Sequence, residues 1–348
     1  MNGYILRSFA WFIIVLIVFV VVCSTCVFIP AVFWAFSPVP TPTERVVFVP
    51  QGAGVFEISN LLAREGVVED PYRPMALVYV LRWNHKLKSG EYAFKFPMNK
   101  IDVWQKIVKG DVVHHFVTVI EGATIFDVAE ALDRSGITGK DEVIRLVKDP
   151  YFIERLGFEG INSLEGYLFP ATYDFTKKDT AETALRRMVK EFRKRFKPEW
   201  IEEAKRHNLT VHQVVTLASI VEKEAVKDEE RPIIAAVFLN RLRIGMPLQS
   251  DPTAVYDLEN FRGPVLKSHL GRRSPYNTYL IKGLPPGPIC NPGLPSIKAV
   301  LFPADVKYLY FVSDRRGSHK FSVTYEEHLQ AIKEIAATID QQDNRGRN

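Results

Sequence analysis

Hydrophobic and polar positions change their period several times along this chain, and each change marks an element. From Ser8 to Thr43 no charged residue occurs, and "FAWFIIVLIVFVVVCSTCVFIP" (9–30) is almost wholly apolar. About 20 such residues cross a bilayer core as a helix, whereas a signal peptide has an apolar region of only about 7–15. Residues 9–36 are therefore expected to be one transmembrane helix, uncleaved because Ala35-Phe36-Ser37 makes a poor processing site. Arg7 is the only charge before the span, which makes residues 1–8 a cytoplasmic N-terminus and sets the remainder outside the cytoplasm. "SPVPTPTE" (37–44) reads as a stiff polar linker that holds the body off the membrane.

Beyond the linker a strand-turn-helix pattern repeats. "VVFVPQGAGVFEISNLLAREGV" (46–67) and "VTVIEGATIFDVAEALDRSGI" (117–137) each run β-branched strand, Gly-Ala turn, amphipathic helix, closing glycine. Gly52 and Gly122, Phe56 and Phe126, Leu62 and Leu132, and Gly66 and Gly136 correspond at a constant offset of about seventy. "SGEYAFKFPMNKIDVWQKIVKG" (89–110) follows the same plan more loosely. Such small units cannot bury their helices alone, so they are expected to pack as an α+β region.

Residues 140 to 245 read as mostly helical. "TAETALRRMVKEFRKRF" (180–196) is amphipathic, Thr210 caps a helix from Val211 to about Ala225, and Pro232 opens another that Gly245 stops. "GLPPGPICNPGLP" (283–295) is either a long ordered loop or unstructured, "KYLYFVSD" (307–314) is a strand, and the tail "QQDNRGRN" is expected to be disordered.

Composition narrows the function classes only a little. A chain of 348 residues, 47% hydrophobic and 24% charged, can bury a full core, and its net charge of +5 is mild. "KEFRKRFKPEW" (190–200) is the densest basic run, but no recognition motif accompanies it, so nucleic acid is not an expected partner. Cys23, Cys26 and Cys290 make neither a disulfide framework nor a zinc spacing, and no Gly-x-Ser-x-Gly elbow points to a serine hydrolase.

The candidate chemistry lies in "ASIVEKEAVKDEE" (218–230). At about 100° per residue, Val214, Leu217, Ala218, Val221 and Ala225 define one face, and Glu222 and Glu224 fall about 80° to either side of its centre. A carboxyl on such a rim is partly desolvated, which raises its pKa and suits it to donate a proton to a glycosidic oxygen. Alternatively both glutamates simply pair with Arg or Lys, and periodicity does not choose between them.

"LASIVEKEA" followed by "VFLNRLRIGMPLQSDPTAVY" (237–256) resembles the YceG-like family of endolytic murein transglycosylases. "LEGYLFPATYDF" (164–175), "SPYNTYLIKGLPPGPICNPG" (274–293) and "GSHKFSVTYEEH" (317–328) match it too, so the resemblance covers nearly the whole chain. It implies an α+β protein of the bacterial inner (cytoplasmic) membrane, with a LysM-like module at 45–115, a catalytic domain at 116–338 and a tail at 339–348. The implied activity is internal cleavage of peptidoglycan glycan strands between N-acetylmuramic acid and N-acetylglucosamine, with no metal or cofactor.

The second glutamate of the "EKE" motif, Glu224, is the catalytic residue that the resemblance implies, and Glu222 its support. Glu165 is the rival acid; its neighbours Tyr167 and Tyr173 are candidates to stack on sugar faces or to fill the core. Gln249, Asp251 and Thr253, with Asn277 and Tyr279, are candidate substrate contacts on loops, or else turn-building residues. His319 and His328 are read as structural. Peptidoglycan synthases are the expected neighbours of an enzyme that ends nascent strands. The competing class is a noncatalytic wall-binding scaffold, which replacement of Glu224 would leave unchanged.

Overall fold

The computed structural model describes residues 2–39, 43–258 and 261–345. It is a mixed α+β protein with an apolar N-terminal helix, α1 (Asn2–Phe36). Within α1, Phe9–Phe36 is 28 residues long, an 18-residue stretch of it has a mean hydropathy of 3.3, and among the described residues it alone is long and apolar enough to cross a membrane. At about 1.5 Å per residue it reaches about 42 Å, more than the roughly 30 Å of a hydrocarbon core.

The chain divides into two compact units. One runs to His114 and includes Thr176–Lys178; the other holds His115–Phe175 and the chain from Asp179 onward. In the first, β1 (Arg45–Val49), α2 (Val55–Arg64), α3 (Tyr72–Val80) and β2 (Gly90–Phe94) are followed by α4 (Lys100–Lys109). β1 and β2 pair antiparallel from Arg45↔Phe94 to Val49↔Gly90. Alternation along them turns Val47, Val49, Tyr92 and Phe94 onto Ile58 and Leu62 of α2 and Trp104 and Ile107 of α4. Ser37–Val39, expected to be linker, is instead pinned to this unit. Val39 is buried and its N–H donates to Met98 O at 2.9 Å, because an apolar side chain among prolines finds a dry seat. Residues 40–42 of the expected linker lie outside the described residues.

The second unit opens with β3 (His115–Val119), α5 (Ile125–Arg134), α6 (Lys140–Val147), α7 (Pro150–Arg155), β4 (Ala171–Phe175) and α8 (Ala181–Arg195). The two stretches spaced by about seventy residues take the same form here, and their likeness extends to the returning strand. Tyr92 and Phe94 in β2 are answered by Tyr173 and Phe175 in β4. Tyr92 Oη donates to Lys88 O at 2.6 Å and Tyr173 Oη to Phe169 O at 2.5 Å, each four residues back.

Next come α9 (Glu199–Arg206), α10 (Val211–Glu224), α11 (Arg231–Arg243), the short α12 (Lys267–Leu270), α13 (Leu294–Leu301), the hairpin β5 (Tyr310–Ser313) and β6 (His319–Ser322), and α14 (Tyr325–Arg345). The strand expected at 307–314 is shorter, and the tail expected to be disordered is helical through Arg345, with 346–348 outside the described residues.

α10 departs most from its expected form. A single apolar stripe was the expectation, yet every residue from Val214 to Val221 is buried. The helix packs against α9, α11 and α13. Its two polar interior residues satisfy themselves on the helix: Thr216 Oγ1 donates to His212 O at 2.8 Å and Ser219 Oγ to Thr216 O at 2.7 Å. That self-sufficiency is what permits burial on all sides.

The "LEGYLFP" segment crosses this core at Gly166, whose φ is +86°. A Cβ there would lie 2.5 Å from Pro288 Cγ and 2.8 Å from Val215 Cγ1. Left-handed strain and overpacking then add, so Gly166→Ala is expected to destabilise the fold by about 2–4 kcal/mol. The urea midpoint of the purified protein measures this; an unchanged midpoint would show that the segment yields freely.

Candidate active site

Thr210 starts α10 with a reciprocal cap: its hydroxyl accepts from Gln213 N, and Gln213 Oε1 accepts from Thr210 N at 2.8 Å. The helix ends at Glu224, where Ala225 turns extended. Glu222 and Glu224 thus stand on the last turn, at the point where a buried helix emerges, and they meet different surroundings.

Glu222 is compensated. Its Oε1 accepts from Arg231 Nη1 at 3.2 Å and its Oε2 from Gly293 N at 2.9 Å, at the start of α13. Arg231 also donates to Asp228 Oδ1 at 2.9 Å and Ser296 Oγ at 2.8 Å. Glu222 therefore ties the ends of three helices together. Glu121, beside Gly293, has its pKa raised by burial first and by the charge of Glu222 second.

Glu224 is not compensated in this way. It is half-buried, and among the described residues the one side chain that donates to it is Ser250, whose Oγ lies 2.5 Å from Oε1. Burial pushes its pKa up to about 7. Ser250 opposes that shift, Asp251 adds to it, and the charges of His319 and Arg241 pull it back. Its place at the C-terminal, negative end of α10 acts in the same direction as burial, since an anion there faces the helix dipole. One oxygen is thereby fixed as a hydrogen-bond acceptor, and Oε2 is left to carry the proton.

Ser250 is held by a buried hydroxyl cluster. Its N–H donates to Thr278 Oγ1 at 2.9 Å, Thr253 Oγ1 and Thr278 Oγ1 are 2.7 Å apart, and Thr253 Oγ1 donates to Ser250 O at 2.6 Å. Gln249 enters this turn with φ +50°, a left-handed value that a non-glycine residue adopts only under constraint. Its N–H donates to Thr278 O at 3.1 Å. Beside it, Tyr279 Oη donates to Asp251 Oδ1 at 2.5 Å.

Residues 47–334 match the model of the YceG-like family. The chain belongs to the YceG-like family. This YceG-like chain is similar to an endolytic murein transglycosylase of Bacillus subtilis (strain 168), 34% identical over 300 residues that make up 81% of this chain and 82% of that protein. It is also similar to an endolytic murein transglycosylase of Streptococcus pneumoniae serotype 2 (strain D39 / NCTC 7466), 30% identical over 336 residues. That match takes in 85% of this chain but 60% of the streptococcal protein, so the chain spans less than two thirds of its length. The crystal structure of a YceG-like protein from Listeria monocytogenes, 32% identical, aligns with a TM-score of 0.59 over 83% of this chain and 99% of that one.

Around Glu224 the YceG-like fold gathers Gln249 and Asp251, both exposed, and the half-buried Tyr279. Thr253 and Asn277 are fully buried: Thr253 belongs to the hydroxyl cluster, and Asn277 Nδ2 donates to Leu270 O at 3.0 Å and Arg272 O at 2.7 Å. Tyr167 and Tyr173 are buried as well, Tyr167 Oη sitting 2.8 Å from His212 Nδ1. These four present no surface to a ligand in this structure.

Glu165 is 2% exposed. Its carboxyl accepts from Ile125 N at the start of α5 (3.1 Å), Tyr256 Oη (2.9 Å) and Asn291 Nδ2 (3.1 Å), and burial pushes its pKa up to about 8. It joins α5 to the 283–295 loop, which is ordered. His319 Nδ1 lies 2.7 Å from Glu230 Oε2, and His328 stacks on Tyr310.

Sequence reasoning passed over Ser250, although it stands between two residues it chose. Periodicity has no signal for a loop hydroxyl aimed at a helix end; only the density of short polar residues in "LQSDPT" marked the turn.

The position of Glu224 should be legible in stability. Its folded pKa, about 7, lies above the ordinary 4.5, so the folded state holds its proton more tightly and stability falls as pH rises from about 4.5 through 7. Glu224→Gln removes that penalty. Its melting temperature should exceed the wild type's at pH 8.5 and converge with it near pH 4.5, a gain of about 1–3 kcal/mol at the higher pH. An equal difference at both values would mean that the carboxyl is not held neutral.

Proposed function

We propose that this chain is a membrane-anchored endolytic peptidoglycan lytic transglycosylase with Glu224 as its single catalytic acid. The carrying observation is a half-buried carboxyl, pushed up to about 7 and hydrogen-bonded through one oxygen to Ser250. The names of the bacillary and streptococcal relatives supply the substrate class, murein.

In the first step, protonated Glu224 donates to the oxygen linking N-acetylmuramic acid to N-acetylglucosamine as that bond breaks with oxocarbenium character. In the second, the resulting carboxylate takes the proton of the muramic C6 hydroxyl while its oxygen closes on C1. The bond count balances without water, and the product carries a 1,6-anhydro end. Glycosidases that use water flank the bond with two carboxyl groups; here the sugar supplies the second nucleophile, so one carboxyl with two successive roles suffices. A pKa near neutrality serves both, since the group must lose and regain a proton in one turnover. Ser250 holds the carboxylate between the two steps, and Asp251, the nearby second acid, is occupied by Tyr279.

The apolar span in α1 suits a single-pass anchor, and Arg7 favours a cytoplasmic N-terminus with the second unit outside the cytoplasm. The β-α-α-β order of residues 45–94 agrees with a LysM-like module that holds glycan near the acid, and a peptidoglycan synthase is the fitting neighbour for an enzyme that ends nascent strands.

Glu224→Gln should lower strand cleavage at least about 10²-fold while leaving the fold intact. Mass spectrometry of digested strands checks both rate and chemistry: reducing muramic ends would indicate a hydrolase, and unaltered cleavage by the variant would remove Glu224 from the reaction. Ser250→Ala deletes the hydrogen bond that favours the carboxylate, so Glu224 should titrate higher. The alkaline limb of kcat/KM is then expected to move up by about one pH unit, and a limb that stays in place would dissociate Ser250 from the acid.

A further inference from the structure

We infer that a recess beside Glu224 receives the short acidic peptide hanging from the muramic residue being cut, an inference that rests on the transglycosylase reading above. The recess has a volume of about 360 Å³, within the range of about 300–1,000 Å³ usual for small-ligand sites. Its walls come from the starts of α5 and α6, the end of α10 and the turn after Ser250.

Two of those walls also build the surroundings of the acid. Lys223 lines the recess and precedes Glu224, while Pro252 lines it and follows Asp251. Ser250 donates to Glu224 and Pro252, two residues on, lines the recess, so a substituent on a sugar held at the acid would reach the recess past Pro252. On muramic acid that substituent is a lactyl ether carrying a peptide with free carboxyl groups.

The charges in the recess fit such a group. Its acidic side chains are already engaged: Asp127 Oδ2 accepts from Thr124 N at 2.8 Å in the cap of α5, and Glu130 Oε2 lies 3.4 Å from Arg262 Nη2. Its lysines are not. Among the described residues Lys223 Nζ donates only to the Gly122 carbonyl, at 3.3 Å, while Glu222 is taken by Arg231. Lys140 is half-buried and forms no ion pair among the described residues. Phe126 and Tyr256 add aromatic area to the lining. Two cations outside any described ion pair in a partly aromatic recess suit a short chain of carboxylates and small apolar side chains.

The test compares the full-length enzyme in detergent on two substrates, peptide-bearing glycan strands and the same strands stripped by an amidase, with kcat/KM read from anhydro-ended products. Wild type should prefer the peptide-bearing strands by about tenfold. Lys140→Met should lower that preference, Lys140→Glu should reduce it to near one, and Lys140→Arg should restore it, each with a native melting curve. A wild-type preference near one overturns the inference. So does a preference that Lys140→Met and Lys140→Glu leave unmoved, or one lost equally in Lys140→Arg. Absence of anhydro product from both substrates would instead defeat the transglycosylase reading, and the peptide recess with it.

Discussion

The energetic balance at the end of α10 is the constraint around which the site is organised. Eight consecutive buried residues carry this helix through the core, and two carboxyl groups follow within one turn. Each must be neutralised by a cation, satisfied by donors or left protonated. Glu222 obtains a guanidinium and a backbone N–H. Glu224 obtains one hydroxyl. A single neutral hydrogen bond does not offset the loss of solvent around a charge, so the proton stays near neutral pH. The same helix thus carries a charge-compensated carboxylate and one whose proton is held near neutral pH, two positions apart.

The loops that complete the site are ordered through backbone groups and hydroxyls, with few ion pairs. Ser250, Thr253 and Thr278 lock the 249–253 turn onto the 277–279 segment, while Asn291 fastens the 283–295 loop to the start of α5. Asn291 N donates to Ala123 O at 2.8 Å, its side chain donates to the same carbonyl at 2.9 Å, and its Oδ1 accepts from Leu168 N at 2.9 Å. Glu165 sits at the crossing of these connections. Its raised pKa follows from that position; Glu224 differs from it in being half-buried and in accepting from one side chain among the described residues.

The internal repeat gives the chain two versions of one strand-turn-helix unit with a returning strand, two helices lying between the strands in the first and three in the second, and they differ in what their Gly-Ala turns meet. Gly52 has open space around it, whereas Gly122 donates its N–H to Asn291 O at 2.9 Å and lies against Glu222. In the second version the turn is part of the site's support, and its neighbours Thr124 and Phe126 line the recess beside the acid. One local pattern therefore meets two different surroundings, separated by the contacts its turn finds.

Sequence alone carried the local features: the apolar span, the strand-turn-helix repeats, the Thr210 cap, the Pro-to-Gly bounds of α11 and, through resemblance, the family. These are set by residues near one another in the chain, where side-chain period, capping chemistry and backbone freedom act directly. Tertiary structure alone decided that α10 is buried on every side, that Glu222 rather than Glu224 meets Arg231, that Ser250 faces the acid, and that Tyr167, Tyr173, Thr253 and Asn277 face inward. Those outcomes depend on partners tens of residues away, and desolvation and hydrogen-bond completion are properties of the packed surroundings that no local pattern records.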